Sequence, residues 1–233
     1  MPPPGRVKIS RHNPRIVGVI TNSAELRRAS GMSAPPDLFE LRLDSLVNEK
    51  ALEQKARNLP APLIITARHP AEGGKHNLPG KTRRGLLLRF LPLAQYVDIE
   101  LRSVQAFRAV FDNARRIGAS TIISFHHFGS TPGLGSLRAK AAQAARLKPA
   151  IFKVATRTDT PVQLGRLLEF ISAAPSDLAI SAMGIGKLGA ISRLLFAQCG
   201  SVLIYTSVDE PQVEGQVSLA QIRVLLRQID LMD

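Results

Sequence analysis

The chain has 233 residues, enough for one large α/β domain or two small ones with a substantial hydrophobic core. Its single cysteine, Cys199, excludes an internal disulfide framework and is typical of a reducing compartment. The formal net charge of +13 suits nucleic acid, but the basic residues are spread along the whole chain, which favours a general attraction for anions over specific nucleic-acid binding.

The N-terminal residues, 1–13, are basic and proline-rich and contain no apolar stretch typical of signal peptides. We expect a flexible tail there, followed by one catalytic domain over residues 14–233. No apolar run approaches the roughly 18 residues needed to cross a bilayer. We therefore expect no membrane-spanning segment and a cytoplasmic location.

Short apolar runs rich in β-branched or aliphatic residues, each bounded by Pro, Gly, Asp or Ser, predict β-strands. They cover residues 15–21, 37–44, 62–68, 96–101, 120–128, 150–156, 177–184 and 201–208. Segments with apolar residues at i, i+3, i+4 and i+7 predict helices. These lie at 83–94, 104–118, 162–174, 188–200 and 217–229. The helix expected after the first strand is poorly marked.

Residues that favour helix starts and ends lie between these segments and support the predicted helix boundaries. Gly118 and Gly200 lie where helix ends favour a left-handed residue, and Asp159-Thr160-Pro161 is a typical helix start. Strands alternating with helices, with no composition break or long linker, predict an α/β fold with a single (β/α)8 TIM barrel. A doubly wound open sheet is the alternative, because the number of strands does not show closure.

Alternation within the strands directs a set of charged side chains into the predicted barrel, since residues two apart share a face. The inward set is Glu40, Arg42, Arg68, Glu100, His126 and Lys153. The same rule places Asp98 inside and His127 outside. Each charge alone fits a buried ion pair, but their convergence near strand ends predicts a functional site.

Lys153 stands among apolar and small residues in AIFKVAT, where an ammonium is costly unless it is paired or deprotonated. Arg42 and Arg68 favour the neutral amine, which attacks carbonyl groups. Glu40 and Glu100 favour the ammonium. The residues therefore leave the protonation state of Lys153 open.

An iminium formed at Lys153 would acidify the neighbouring C–H group, and His126 is suited to remove that proton. The inward arginines predict a small anionic ketone or aldehyde, because their planar groups hold carboxylates with two hydrogen bonds. Sugar phosphates and keto acids both qualify. The residues alone indicate a Schiff-base aldolase or dehydratase.

The segment MGIGKLG also matches a dinucleotide-binding pattern. Gly184, Gly186 and Gly189 follow a predicted strand, and Asp209 lies about twenty positions further on. No βαβ units follow to complete a nucleotide-binding half. In a barrel, these glycines more naturally let the backbone and Arg193 approach a bound anion.

Seven motifs occur in a recognisable order: FELRLD, TARHPAEGG, VDIEL, SFHHFGSTP, FKVA, SAMGIGKLGAISR and EGQ. Together they resemble the type I 3-dehydroquinate dehydratase family over about residues 14 to 230. The resemblance implies a (β/α)8 barrel, commonly a homodimer, that needs no metal or organic cofactor. It implies dehydration of 3-dehydroquinate to 3-dehydroshikimate in the shikimate pathway, through a Schiff base.

The resemblance also implies roles for individual residues. Lys153 is the imine-forming lysine, and His126 is the base that takes the C2 proton and then the acid that assists loss of the C1 hydroxyl. Glu72 orients the histidine, with Glu100 behind it. The implied substrate contacts are Glu40, Arg42, Arg68, Arg193 as the carboxylate clamp, Gln216 of the lid, and Gln212, which replaces a serine contact.

Two departures from the family pattern leave alternatives open. His127 replaces the usual aspartate of H-D-F, and the lid reads Gln212-Val213-Glu214-Gly215-Gln216 instead of S-A-P-G-Q. These changes are compatible with a non-catalytic regulatory barrel that binds dehydroquinate. Another class I Schiff-base lyase is the remaining alternative.

Overall fold

Parallel strands alternate with helices throughout the computed structural model, which describes residues 6–175, 177–211 and 213–229. The strands are β1 (Arg15–Ile20), β2 (Leu38–Arg42), β3 (Leu63–Thr66), β4 (Ala94–Glu100), β5 (Ser120–His127), β6 (Ile151–Arg157), β7 (Ile180–Ile185) and β8 (Leu203–Ser207). The helices are α1 (Ser23–Ser30), α2 (Leu52–Arg57), α3 (Gly80–Phe90), α4 (Arg108–Ile117), α5 (Leu134–Ala145), α6 (Pro161–Ser172), α7 (Gly189–Gln198) and α8 (Leu219–Gln228).

The strands form one sheet in the order β7-β6-β5-β4-β3-β2-β1-β8. The two ends of this sheet meet, because the backbone N–H of Val202 donates to the carbonyl of Ile180 at 2.9 Å. The Ser181 hydroxyl also donates to the carbonyl of Leu203 at 3.3 Å. The nearly closed ring confirms the predicted (β/α)8 TIM barrel and rules out the open, doubly wound sheet.

The helices begin and end where the sequence favours it. Thr160 caps α6 with its hydroxyl on the N–H of Gln163, whose side chain accepts from the N–H of Thr160 in return. Gly118 ends α4 in the left-handed conformation, with φ of 74°. None of the helices in these described ranges is long and apolar enough to cross a membrane.

Alternation along each strand separates two apolar layers. Phe39, Val97 and Ile99 are fully buried between the sheet and the helices. Val17 and Ile64 face the barrel interior, within a smaller apolar cluster. Burying each such side chain contributes about 1.5–3 kcal/mol, so both layers fix the register and the direction in which the polar residues point.

Residues 6–13, which the sequence assigns to a tail, lie against the end of the barrel formed by the strand starts. The Gln95 side chain exchanges two hydrogen bonds with the backbone of Val7, at 3.0 and 2.7 Å. Val7 and Ile9 pack on the interior apolar cluster. Arg11 donates to the carbonyl of Leu178 at 2.8 Å. This segment covers the end of the barrel opposite the polar side chains.

Candidate active site

Polar and charged side chains surround a cavity of about 120 Å³ at the carboxyl ends of the strands. The cavity brings together eight of the residues predicted from the sequence: Glu40, Arg42, Arg68, Glu72, His126, Lys153, Arg193 and Gln216. A second cavity, of about 350 Å³, lies outside the barrel and shares Glu72 and His126 with the first. The first cavity is the candidate active site, because it contains the inward-facing lysine.

Lys153 lies on β6 with its amine almost fully buried. Its Nζ is 3.2 Å from Glu40 Oε1 and 3.1 Å from Asp98 Oδ2. The aromatic ring of Tyr205 lies on another side, with its centroid 3.8 Å from Nζ. The apolar strand therefore carries a lysine whose charge is compensated by two carboxylates and an aromatic face.

Arg68 fixes the carboxylate of Asp98 in place. The guanidinium binds both oxygens, at 3.1 and 2.9 Å, and donates to Ser124 Oγ at 2.6 Å. Burial alone would raise the pKa of Asp98, but Arg68 and Lys153 outweigh it and hold that pKa well below its usual range. Asp98 is therefore a permanent anion beside the lysine.

His126 and Glu72 form a buried pair. Glu72 lies in a short 3₁₀ turn (Pro70–Glu72), and its Oε2 is 3.0 Å from both the ring Nδ1 and the backbone N of His126. Burial, followed by the charges of Arg68 and Lys153, lowers the pKa of His126 well below 6.5. Burial raises the pKa of Glu72 to about 7.

The protonation states of this pair suit a base. The imidazole of His126 is neutral at pH 7 because burial disfavours its charged form. When Glu72 is ionised, its Oε2 accepts a hydrogen bond from Nδ1–H of His126, which leaves Nε2 of His126 as the acceptor nitrogen. The pair can therefore take up a proton at one defined ring atom.

Arg193 is a buried cation without an acidic partner among the described residues. Its Nε donates to the carbonyl of Tyr205 at 2.9 Å. Its Nη1 binds the carbonyls of Gly184, Gly189 and Gly215, at 3.1, 2.7 and 2.6 Å. Burial lowers its pKa to about 10, so the group stays charged at pH 7. Such a cation in a cavity wall is suited to bind an anion.

The other predicted residues differ in what they contact. Arg42 lines the cavity, but its guanidinium is held by Asp44 at 3.0 and 2.8 Å. Glu100 lies behind the cavity wall, where it accepts from Arg83 at 2.6 Å and from the backbone N of His69 at 2.7 Å. Glu100 thus anchors the turn that carries Glu72.

The sequence matches the family described as type I 3-dehydroquinase over residues 17–233. The chain belongs to this family. As a type I 3-dehydroquinase it is a hydro-lyase, a 3-dehydroquinate dehydratase. The family assignment favours an enzyme over a non-catalytic barrel.

Similar proteins match this chain over most of their length. A 3-dehydroquinate dehydratase of Pyrococcus abyssi is 32% identical over 196 residues, which cover 84% of this chain and 88% of the relative. One of Aquifex aeolicus is 31% identical over 209 residues, covering 86% and 91%. The solved structure of 3-dehydroquinate dehydratase from Geobacillus kaustophilus superposes with a TM-score of 0.85, at 24% identity and 97% coverage of both chains.

The departures from the family pattern that fall on described residues lie at the rim of this dehydroquinase site. His127 is exposed, and its Nδ1 lies 2.8 Å from the carbonyl of Ser130, away from the cavity. In the lid, Glu214 pairs with Arg157 at 3.0 Å. Gln216 lines the cavity, whereas Gln212 lies outside the described residues.

Sequence reasoning missed two residues that contact the lysine. Asp98 was placed inside by alternation, but the residue types alone did not show that it would approach Lys153 more closely than Glu100 does. Tyr205 lies on β8, in an apolar run where an aromatic residue gives no functional signal. Within the described ranges, no group of three His, Cys, Asp or Glu side chains is arranged to hold a metal ion.

Proposed function

We propose that this dehydroquinase converts 3-dehydroquinate to 3-dehydroshikimate and water through a Schiff base on Lys153, with His126 as the general base and acid. The observation that carries the proposal is that the amine of Lys153 and the ring of His126 line one cavity together with the cation of Arg193, which has no acidic partner among the described residues. An amine, a neutral imidazole and a cation are the groups that this reaction on an anionic ketone requires.

The reaction begins when the neutral amine of Lys153 attacks the ketone carbon. A carbon–nitrogen bond forms, the ketone oxygen takes up one proton from the attacking nitrogen and one from solvent, and it leaves as water, which gives an iminium. Glu40 and Asp98, within 3.2 Å of Nζ, compensate the positive charge of the iminium. The iminium then serves as the electron acceptor for the next step.

His126 removes the C2 proton, and the electron pair of that C–H bond moves into the iminium to form an enamine. The enamine returns its electrons as the C1–O bond breaks, and the imidazolium gives its proton to the departing hydroxyl, which leaves as water. Hydrolysis of the remaining iminium releases the product and restores Lys153. Glu72 holds the imidazole in position throughout, through its 3.0 Å contact with Nδ1.

The arginines suit the substrate's carboxylate. Arg193 has no acidic partner in the described parts of the chain and lines the cavity, so we assign it to the carboxylate. Glu40, Arg42 and Arg68 are proposed to contact the substrate hydroxyls directly or through the network at the cavity wall. Gln216 and Gln212 of the lid are proposed to complete the site.

Borohydride trapping tests this proposal. Reduction in the presence of 3-dehydroquinate should leave a covalent adduct, which mass spectrometry of peptides will locate on Lys153. Lys153→Ala should form no adduct and show no rise in the enone absorbance of the product. A folded wild-type protein that turns over substrate without any trapped adduct would exclude the Schiff base, and an adduct formed only with an aldol donor would indicate a different lyase.

We also propose that the enzyme acts in the shikimate pathway, and thus in aromatic amino acid biosynthesis, in the cytoplasm and as a homodimer. The family assignment supports the pathway, and the resemblance supports the dimer. Light scattering on the purified chain should give the mass of two copies. A mass of one copy at micromolar concentration would exclude a stable dimer.

A further inference from the structure

We propose that the aromatic face of Tyr205 stabilises the ammonium form of Lys153 and so sets the pH at which this amine becomes a nucleophile. The proposal rests on the proposed function, because it assigns a positioning role toward the Schiff-base lysine. Tyr205 lies on β8, and Lys153 lies on β6. Strand β7 lies between these two strands in the barrel.

The geometry around the ammonium carries this inference. A lysine ammonium has three N–H donors. Glu40 and Asp98 accept at 3.2 and 3.1 Å, and the Tyr205 ring centroid lies 3.8 Å from the same nitrogen. Tyr205 is only 4% exposed and Lys153 only 3%, so water contributes little screening between them. Cation–π attraction is strongest in such a desolvated setting.

The ring, not the hydroxyl, makes this contact. The Tyr205 hydroxyl is buried and has no hydrogen-bond partner among the described residues. Burial, together with the negative charges of Glu40 and Asp98, holds the pKa of Tyr205 well above 10, so the phenol stays neutral. A neutral ring keeps the negative face that attracts a cation.

Other charged or titratable groups also face Lys153, and ring substitution leaves all of them in place. They are Glu40 on β2, Arg68 just after β3, Asp98 on β4 and His126 on β5. The neighbour of Lys153 on β7 is Ser181, which is uncharged. A change confined to the electron density of the ring therefore isolates the contribution of Tyr205.

The test replaces Tyr205 in the full chain with phenylalanine and then with phenylalanines that carry one, two or three ring fluorines. Fluorine withdraws electron density from the ring face with little change in shape, so each step weakens the attraction for a cation. The measurement is kcat/KM for 3-dehydroquinate as a function of pH. Thermal unfolding of each variant checks that the fold is retained.

The acidic side of this profile reports the groups that must be deprotonated in the free enzyme. Nucleophilic attack needs the unprotonated amine, so a weaker attraction for the ammonium form of Lys153 extends activity to lower pH. We expect the midpoint of the acidic side of the kcat/KM profile to move to lower pH with each fluorine, by about 0.5 to 1 pH unit over the whole series. Tyr205→Phe itself should change the midpoint little.

Identical pH profiles across an active fluorinated series would overturn the role of Tyr205 while leaving the proposed function intact. Tyr205→Leu removes the ring. The acidic midpoint of its kcat/KM profile should lie at the same pH as that of the trifluorinated variant, or lower. If that variant does not fold, the fluorinated series still decides. A wild-type chain that neither turns over dehydroquinate nor forms an adduct would overturn the proposed function, and the role of Tyr205 with it.

Discussion

At the scale of single residues, the site contains buried carboxyl groups whose pKa values are shifted in opposite directions. Burial raises the pKa of Glu72 to about 7, so this group is about half protonated at pH 7, whereas Asp98 is kept ionised by Arg68 and Lys153. Two carboxyl groups in one site thus have opposite tendencies, which is typical of acid–base catalysis. The carboxyl group with the raised pKa is the one that contacts the proposed base, His126.

The pKa of Glu72 makes a prediction about stability. Its folded value of about 7 exceeds the unfolded value of 4.5, so the folded state holds a proton that the unfolded state loses. Glu72 therefore costs stability progressively as pH rises from 4.5 to 7. We expect the stability of Glu72→Gln relative to wild type to increase by about 2–3 kcal/mol between pH 5 and pH 8.

Urea unfolding at the two pH values measures this difference. Glu169→Gln is the matched control, because Glu169 is exposed on α6 and pairs with Arg138 only at 3.7 Å. That control should show no such change with pH. Equal stability differences for Glu72→Gln at both pH values would contradict the burial argument.

The same substitution should lower kcat about 10- to 100-fold, because an amide orients the imidazole without stabilising its charged form.

Arg193 provides a second residue-scale prediction. Lysine keeps the charge but has no planar fork, so Arg193→Lys loses part of the carbonyl contacts and the paired hydrogen bonds to a carboxylate. We expect KM to rise about 10- to 100-fold with a smaller change in kcat, as charge-assisted hydrogen bonds contribute roughly 1.5–3 kcal/mol.

Arg223→Lys is the control for that experiment. Arg223 on α8 also binds two carbonyls, those of Ala34 and Pro35 at 2.9 and 2.7 Å, but it does not line the cavity. Its KM should equal that of the wild type. Steady-state kinetics on both variants decide the matter, and a similar KM for both would remove Arg193 from the carboxylate site.

At the scale of elements, the loop between β8 and α8 is fixed by close backbone contact. A Cβ on Gly215, where φ is +78°, would lie 2.2 Å from the carbonyl oxygen of Gly186. The carbonyl of Gly215 also accepts from Arg193 at 2.6 Å. The glycine pattern that resembles a dinucleotide motif thus serves tight packing around this arginine.

Gly215→Ala should therefore displace the loop and raise KM several-fold, in addition to a cost of about 1–2 kcal/mol for the left-handed backbone. Gly200→Ala is a matched control, since φ there is +96° and no atom of the described residues lies within 4 Å of the added Cβ. Gly200→Ala should lower stability and leave KM unchanged. Kinetics and thermal unfolding separate the two effects, and equal KM values would contradict a role for the loop in the site.

Local patterns predicted strands better than helices. All eight apolar runs overlap observed strands, because burial on both faces demands such runs. The helix predicted at 83–94 ends instead at Phe90, because Pro92 cannot continue it. The periodicity gave no prediction for α2, which has six residues, or for α5, whose exposed face is rich in alanine.

At the scale of the whole molecule, closure and loop positions were beyond local reasoning. β1 pairs with β8 through partners such as Arg15 and Leu203, which are far apart in sequence. Alternation predicted which side chains face inward but not their distances, so the contact of Asp98 with Lys153 was missed. Glu72 lies in a loop, where no periodicity applies, and only the family resemblance indicated its contact with His126.

The segment that covers the far end of the barrel gives the whole-molecule prediction. Deleting residues 1–13 removes the paired hydrogen bonds between Val7 and Gln95, the packing of Val7 and Ile9, and the contact of Arg11 with Leu178. We expect the deletion to lower the free energy of unfolding by about 2–4 kcal/mol, from two apolar side chains and their hydrogen bonds.

The variant that lacks residues 1–13 should keep kcat and KM at 25 °C within about two-fold of the wild type. The cavity lies at the opposite end of the barrel, and the residues that line it keep their partners. Gln95→Ala, which removes only the hydrogen bonds to Val7, should lose a smaller part of the stability. Urea unfolding and steady-state kinetics on both variants provide the test. A deletion that abolished activity while leaving stability unchanged would show that this segment reaches the site, contrary to the packing described here.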